Sequence, residues 1–249
     1  MLTQIGGVIY LISITLIKKK KKQYRLKRFA AFIILYTIAT FLIVPSIAPF
    51  FGRQKIDDNF RIENHNFITK LCNRNYVTPE LHEVLTDVSL RMNKVYPKIK
   101  VIYLDANFPF FDGFPLLPHL SHNDGKKIDL SFVYNDQNGN ISNLKPSRSG
   151  YGIFESPKNG EVNQSEICKN SGFWQYDYPK HLTFGKINSE IQFNEKVTKK
   201  LIQFIVEDSR VQKVFIEPHL KNRLKLTNSK IRFHGCGAVR HDDHIHIEV

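Results

Sequence analysis

The longest hydrophobic stretch of the chain lies near its N-terminus. The 24 residues from Phe29 to Gly52 include no Asp, Glu, Lys or Arg. A helix of roughly 20 apolar residues crosses the hydrocarbon core of a bilayer, whereas a buried helix of a soluble protein normally keeps a polar stripe. The pattern therefore predicts a transmembrane helix over residues 29–52, with Pro45 and Pro49 near its far end.

A second apolar stretch precedes it. Leu2 to Ile17 is apolar but only 16 residues long, and polar residues interrupt it. A secretory signal is not expected here, because the positive charges follow the apolar stretch and do not precede it. Residues 1–17 are thus a candidate first membrane segment, and the pattern leaves either one or two membrane spans.

Shorter periodic patterns in residues 54–249 indicate one compact domain. Apolar residues recur at helical spacing after Thr78, a good N-cap residue, and again after Asn194. The dipeptide Asn138-Gly139 predicts a hairpin turn. Alternating runs predict strands over residues 98–105, 128–134, 211–217 and 245–249. Strands mixed with helices without regular alternation predict an α+β fold, with a small antiparallel sheet and flanking helices.

Residues 151–179 are rich in Gly, Pro, Asn and aromatic side chains and lack a clear period. Such a segment predicts long loops that border a cleft. Two interpretations of Trp174, Tyr176, Asp177 and Tyr178 remain open: a wall of that cleft, or a packed aromatic loop.

The excess of positive charge is concentrated in one short run of the sequence. The formal net charge is +13, but eight of the 36 basic residues lie between Lys18 and Arg28 in the run KKKKKQYRLKR. Without these eight charges the net charge falls to +5, so nucleic acid is excluded as the expected partner. Lys and Arg beside membrane segments stay on the cytoplasmic side. Residues 18–28 are therefore predicted to be a cytoplasmic loop, and residues 54–249 to lie on the periplasmic or extracellular side.

The three cysteines, Cys72, Cys168 and Cys236, permit one disulfide and one free thiol, and the sequence leaves the pairing open. The sequence also gives no prediction of oligomeric state.

Six of the ten histidines lie in two short stretches, residues 119–129 and 234–249. In a strand, side chains alternate between the two faces. His244, His246 and Glu248 would then share one face of the last strand, while its isoleucines face the core. Two adjacent imidazoles with nearby carboxylates form a good zinc environment.

The first stretch supplies a carboxylate. Asp129 lies between Ile128 and Leu130 on a predicted strand. An inward carboxylate is costly unless it is paired or binds a metal. His122, Gly125 and Asp129 are spaced as His, Gly three residues on and Asp seven residues on. Together with the final histidines, this spacing predicts a metal site.

These two motifs resemble those of the zinc peptidases related to lysostaphin, D-Ala-D-Ala peptidases and Hedgehog domains, which read HxxGxxxD and HxH. The form His241-Asp-Asp-His244-Ile-His246 is most similar to the penicillin-insensitive murein endopeptidase branch. The resemblance extends over residues 100–249, although only the two motifs are specific. Lys126 and Lys127 depart from it, since the family commonly has an alanine at the second of these positions.

The resemblance implies a role for each matching residue. His122, Asp129 and His246 would be the ligands of a Zn²⁺ cofactor, with a fourth position open for water. His241 and His244 would be catalytic, as proton carriers or stabilisers of the charged intermediate. His119 would line the site. Arg240 is a candidate for holding a substrate carboxylate, with a solvated surface charge as the alternative.

The implied function is a membrane-anchored zinc metallopeptidase that hydrolyses D-Ala-containing peptide cross-links of peptidoglycan by metal-activated water. The expected partners are therefore a peptidoglycan peptide and, through the N-terminal helices, the membrane. Two alternatives remain: a D-Ala-D-Ala carboxypeptidase, for which a cationic clamp would be diagnostic, and a non-catalytic zinc-containing binding module.

Overall fold

The computed structural model of the protein describes residues 2–19, 22–116 and 120–249. It is an α+β structure, as the sequence predicts, with helices and small sheets following an apolar N-terminal region. The α-helices in these ranges are α1 (Gly6–Leu16), α2 (Tyr24–Ile38), α3 (Val44–Ile47), α4 (Phe67–Leu71), α5 (Pro79–Val95), α6 (Gln164–Asn170), α7 (Glu195–Glu207) and α8 (Pro218–Arg223). The strands are β1 (Gln54–Lys55), β2 (Ile62–Asn64), β3 (Tyr76–Val77), β4 (Val101–Asp105), β5 (Lys127–Ser131), β6 (Tyr134–Asn135), β7 (Ile141–Ser142), β8 (Gln192–Phe193), β9 (Lys213–Phe215), β10 (Ile231–Arg232) and β11 (His244–Glu248).

The predicted apolar helix is present and is longer than its uncharged core. A π-helical turn, α3 and a 3-10 turn extend α2, so one helix of 28 residues runs from Tyr24 to Phe51 with a mean hydropathy of 2.2 in its most apolar window. By length and composition it could serve as a membrane anchor or a signal sequence. Helix α1 has 11 residues, about 16 Å of helix, which is much shorter than the roughly 30 Å of a bilayer core.

The N-terminal helices are attached to each other and to the rest of the chain. Arg28, at the start of the apolar stretch, donates to the carbonyls of Ile14 and Ile17 at the end of α1. Farther along the helix, the Tyr36 hydroxyl donates to the Leu71 carbonyl at 2.8 Å. The middle of the apolar helix is therefore attached to α4, in the segment that leads into α5.

A six-stranded sheet with the order β10-β9-β11-β5-β4-β2 forms the centre of the domain. Its inner strands pair antiparallel, as predicted, but β10 and β2 run parallel to their neighbours at the two edges. The sheet is thus mixed and not purely antiparallel. Edge strands that come from distant parts of the chain set this topology, which local periodicity does not specify.

Helices α5 and α7 pack their apolar sides into one core with the sheet. The Thr78 hydroxyl accepts from the Leu81 N–H, and the Asn194 side chain accepts from the Val197 N–H, so both predicted N-caps are confirmed. The core side chains of β11 are Ile245 and Ile247, which are both fully buried. This packing fixes which face of β11 is available for polar chemistry.

The smaller features follow local signals. Strands β6 and β7 form the hairpin predicted at Asn138-Gly139, with Gly139 at a φ of +79°. The loop-rich region predicted at 151–179 also contains α6, and a 3-10 segment extends from Trp174 to His181.

Candidate metal centre

Strand pairing brings the two histidine-containing stretches together. In the register of β11 on β5, His246 lies opposite Asp129. Because Ile245 and Ile247 point into the core, His244 and His246 project from the other face of β11. His122 lies in the loop before β5 and is buried beside them. The tertiary fold thus assembles three residues that are as much as 124 positions apart.

The three predicted ligands converge on a single point. His246 Nδ1 lies 2.8 Å from Asp129 Oδ1 and 3.2 Å from His122 Nε2, and His122 Nε2 lies 3.2 Å from Asp129 Oδ1. Ligands at 2.0–2.1 Å around a tetrahedral ion are separated by about 3.3 Å. All three residues are buried, and their donor atoms form a group that could hold a metal ion.

The charges around this group favour a cation. Burial by itself would lower the pKa of His246, but the hydrogen bond with Asp129 and the nearby Glu248 carboxylate outweigh burial and raise it. Burial likewise opposes protonation of His244, yet Asp129 and Asp243 raise the pKa of that residue to about 9. The buried carboxylates therefore attract positive charge to the point where the donor atoms meet, which suits a divalent ion.

Surrounding groups orient each donor. His122 donates from Nδ1 to the Ala106 carbonyl at 3.1 Å, so its Nε2 faces the site. The Tyr151 hydroxyl donates to Asp129 Oδ2 at 2.8 Å. Glu248 Oε1 lies 3.7 Å from His246 Nε2. Outer contacts of this kind fix ligand orientation in metal sites and add to metal affinity.

We expect Tyr151→Phe to weaken metal binding about 10–100-fold, because it removes the hydroxyl that holds Asp129 and leaves the aromatic ring in place. Competition with a chromophoric zinc chelator measures the change. Tyr76→Phe is the matched control, since Tyr76 is also buried but packs against Val44 and Ala48 of the N-terminal helix. Equal affinities of the two variants would show that the Tyr151 hydroxyl does not support the site.

The two predicted catalytic histidines lie beside the triad and outside it. The His244 ring centroid is 4.9 Å from that of His241, and His244 Nε2 is 3.7 Å from Asp129 Oδ1. The His241 and His246 centroids are 5.7 Å apart. Burial, together with the neighbouring His244 and His246, holds the pKa of His241 well below its usual range. Two imidazoles of different basicity thus adjoin the donor atoms.

A cavity of about 220 Å³, called here the metal-site cavity, opens onto these groups. Its walls include all three ligands and both additional histidines. They also include His234, whose buried Nδ1 has no hydrogen-bond partner among the residues that the structure describes. The remaining lining residues are Leu120, Ser121, Gln175, Gly237, Ala238 and Val239. The small side chains at 237–239 leave room for a chain to approach.

The environment of Arg240 differs from both predictions made from the sequence. It is buried, with ion pairs to Asp242 at 2.5 Å and Asp177 at 2.9 Å, and it stacks on Phe154. Two carboxylates thus balance its charge away from the metal-site cavity, so it is neither a solvated surface charge nor available as a carboxylate clamp. His119, the other predicted lining residue, lies outside the described residues.

The lysines that depart from the zinc-peptidase motif do not pair with the predicted ligands. Lys126 is exposed, and Lys127 pairs with Asp124.

Tyr176, in the aromatic segment at 174–178, is buried and donates to Glu217 at 2.5 Å, whereas the Trp174 side chain is mostly exposed. Gln175, between these two aromatic residues, is the member of this segment that lines the cavity.

Sequence reasoning did not assign Tyr151, Asp243 or His234 to the site. Tyr151 and Asp243 make contacts with residues distant in sequence: Tyr151 bonds to Asp129, 22 positions away, and Asp243 to Gly152, 91 positions away. His234 belongs to the second histidine-rich stretch, and this clustering was the one signal that could have identified it.

A disulfide holds one wall of the cavity. Cys168 at the end of α6 is bonded to Cys236, and Cys72 is free. Cys236 directly precedes the small residues that line the cavity. The disulfide therefore attaches this wall to α6.

Reduction of this disulfide is expected to lower the free energy of unfolding by about 4 kcal/mol, because it closes a loop between residues 68 apart. For a chain of this size the melting temperature should fall by about 10 °C. Thermal unfolding followed by far-ultraviolet circular dichroism, with and without reductant, measures the shift. The Cys168→Ser/Cys236→Ser variant should reproduce it and Cys72→Ser should not; a similar loss in Cys72→Ser would contradict this assignment.

Neither a protein-family model nor a curated protein matches this sequence. What defines the class of the protein is therefore its own architecture: an α+β chain with one long apolar helix near its N-terminus and a buried His-Asp-His group that could hold a metal ion.

Proposed function

We propose that the protein is a membrane-anchored zinc metallopeptidase that hydrolyses D-Ala-containing peptide cross-links of peptidoglycan. The observation that carries this proposal is the convergence of the buried His122, Asp129 and His246 at the wall of a cavity that two further imidazoles share. The resemblance of the two sequence motifs to murein endopeptidases supports the choice of substrate.

The donor set favours zinc. Two imidazole nitrogens and one carboxylate oxygen are a common ligand set of catalytic zinc sites, which keep a fourth position open. His122 Nε2, Asp129 and His246 Nδ1 would hold the ion. When bound, zinc supplies a Lewis acid that polarises the scissile carbonyl and lowers the pKa of a water molecule.

The remaining residues of the site would position the substrate and move protons. His244 lies against Asp129 and is the better placed of the two histidines to stabilise negative charge that develops on the peptide carbonyl. His241 adjoins His244, and its lowered pKa makes its neutral form available to accept a proton that must reach the leaving amine. The small residues at 237–239 would accommodate the short side chains of an alanine-containing peptide.

Two features support a location across the membrane from the cytoplasm. The basic run at 18–28 precedes the long apolar helix, which favours a cytoplasmic position for that run. The Cys168–Cys236 disulfide is typical of an oxidising compartment. A domain that faces the cell wall would meet peptidoglycan.

The experiment that tests this proposal uses the full chain in detergent micelles. Its zinc content is measured first. The protein is then incubated with cross-linked muropeptide dimers and with monomers ending in D-Ala-D-Ala, and the products are identified by mass spectrometry. Removal of the metal with a chelator and restoration with Zn²⁺ provide the control.

Each outcome has a definite meaning. Zinc-dependent conversion of dimers to monomers supports the endopeptidase. Release of terminal D-Ala alone would favour the carboxypeptidase, for which the pairing of Arg240 with Asp177 and Asp242 leaves the exposed Lys126 as the remaining candidate clamp. Bound zinc without either reaction would favour the binding module, and the absence of zinc would refute all three.

A further inference from the structure

Asp243 connects His244 to a distant loop. It is fully buried, and its Oδ1 lies 2.5 Å from His244 Nδ1. Its Oδ2 accepts from the Gly152 backbone N–H at 2.6 Å. Both oxygens of one carboxylate thus receive hydrogen bonds, and neither comes from a ligand of the proposed metal.

These contacts restrict the His244 ring. A carboxylate oxygen only accepts, so the short contact places the proton of neutral His244 on Nδ1. The opposite nitrogen, Nε2, then lies toward Asp129, 3.7 Å from its Oδ1. The Tyr151 ring packs against the His244 ring edge-to-face at 5.1 Å, which limits its rotation.

The backbone at Gly152 makes the second contact possible. Gly152 has a φ of +79°, and a Cβ at this position would lie 2.4 Å from the Pro179 carbonyl oxygen. Only glycine can therefore bring its N–H to Asp243 along this path. The preceding residue, Tyr151, holds the predicted ligand Asp129, so adjacent residues support both a ligand and His244.

We propose that Asp243 is the positioning residue of His244: it holds the proton on Nδ1 and directs Nε2 into the metal-site cavity, where it meets the substrate. This inference rests on the proposed function for its catalytic consequence. Its structural part, the tautomer and orientation of His244, is independent of the substrate.

Asp243→Asn tests the proposal sharply. Gly152 N–H is a fixed donor and will take the single amide oxygen. The amide nitrogen then faces His244 Nδ1, which must become an acceptor, so the proton moves to Nε2. The substitution therefore reverses the tautomer with almost no change in side-chain size. In His–Asp pairs of hydrolases, a reversal of this kind lowers kcat by about 10⁴-fold.

The matched control is Asp242→Asn. Asp242 is the adjacent residue, is equally buried and undergoes the same change, but its side chain pairs with Arg240, which keeps its second partner Asp177. Asp243→Ala is a second test variant, because it removes the acceptor without supplying a donor and should give a mixture of the two tautomers.

The readouts are taken on the zinc-loaded full chain in micelles. Long-range ¹H–¹⁵N correlation spectra, recorded above pH 9 so that the His244 ring is neutral, distinguish the two neutral histidine tautomers, and the signals of His244 are identified by their loss in His244→Gln. Zinc content, kcat and KM are measured in the same preparations. We expect Asp243→Asn to move the His244 proton to Nε2 and to lower kcat about 10²–10⁴-fold, with zinc content and KM within about twofold of wild type.

An unchanged His244 tautomer in Asp243→Asn, or wild-type kcat despite a changed tautomer, would overturn the proposal. The same shift in Asp242→Asn would also overturn it, because the effect would then be general to buried carboxylates of this segment. If the wild-type protein cleaves neither muropeptide, the proposed function fails, and the spectra still decide whether Asp243 positions His244.

Discussion

His246→Ala is expected to remove the metal and the hydrolytic activity together. His246 Nδ1 is the donor that lies close to both other members of the triad, at 2.8 and 3.2 Å. Loss of an outer contact alone lowers metal affinity 10–100-fold, so loss of a ligand should lower it by more than about 100-fold. Without bound metal, cleavage should fall below about 1% of wild type. Zinc content and muropeptide cleavage measure both effects.

A second comparison distinguishes loss of the metal in His246→Ala from loss of folding. Under the proposed function zinc binds the folded chain, so we expect it to raise the melting temperature of the wild type and not that of His246→Ala. His181→Ala is the control, since His181 is exposed and lies outside the metal-site cavity. If His246→Ala retained stoichiometric zinc, the ligand assignment would be wrong.

His244→Ala is expected to leave zinc bound and to lower kcat by about 10²–10⁴-fold. The reason is that His244 adjoins the triad without belonging to it, with Nε2 3.7 Å from Asp129 Oδ1. A group that acts on the reacting atoms affects kcat, whereas a metal ligand affects metal content. Steady-state kinetics at saturating zinc, with zinc analysis of the same sample, distinguishes the two.

His241→Ala gives the complementary measurement. His241 lines the same cavity, and its backbone N–H donates to Glu217 at 2.9 Å. This bond does not involve the imidazole, so His241→Ala should leave the local backbone in place. A large loss of kcat in His241→Ala with wild-type kcat in His244→Ala would transfer the main role to His241. Loss of zinc in His244→Ala would instead make His244 a ligand.

The fold could be predicted where a local signal decides it. The helix after Thr78 and the helix after Asn194 begin where their N-caps indicate, because a side-chain acceptor satisfies backbone donors only a few residues away. The short helix α6 was not predicted. Its Asn163 accepts from the Glu166 N–H, a capping signal that the absence of apolar periodicity obscured.

The candidate site could likewise be predicted only in part. Alternation along β11 placed Ile245 and Ile247 in the core and therefore His244 and His246 on the other face, and the resemblance to zinc peptidases selected His122, Asp129 and His246, which the fold brings together. Arg240 shows the limit of such reasoning. Its charge suggested a surface or substrate role, but Asp177, which is 63 positions away, completes a buried pair.

The sequence by itself determined the long apolar helix, the basic run before it, and the main helices and strands. These depend on composition and on contacts within a few residues, which the order of amino acids specifies directly. Tertiary structure alone decided the parallel edges of the sheet, the Cys168–Cys236 pairing and the supports of the site at Tyr151 and Asp243. Each of these joins chain segments that meet only when the common core is buried, so no local pattern records them.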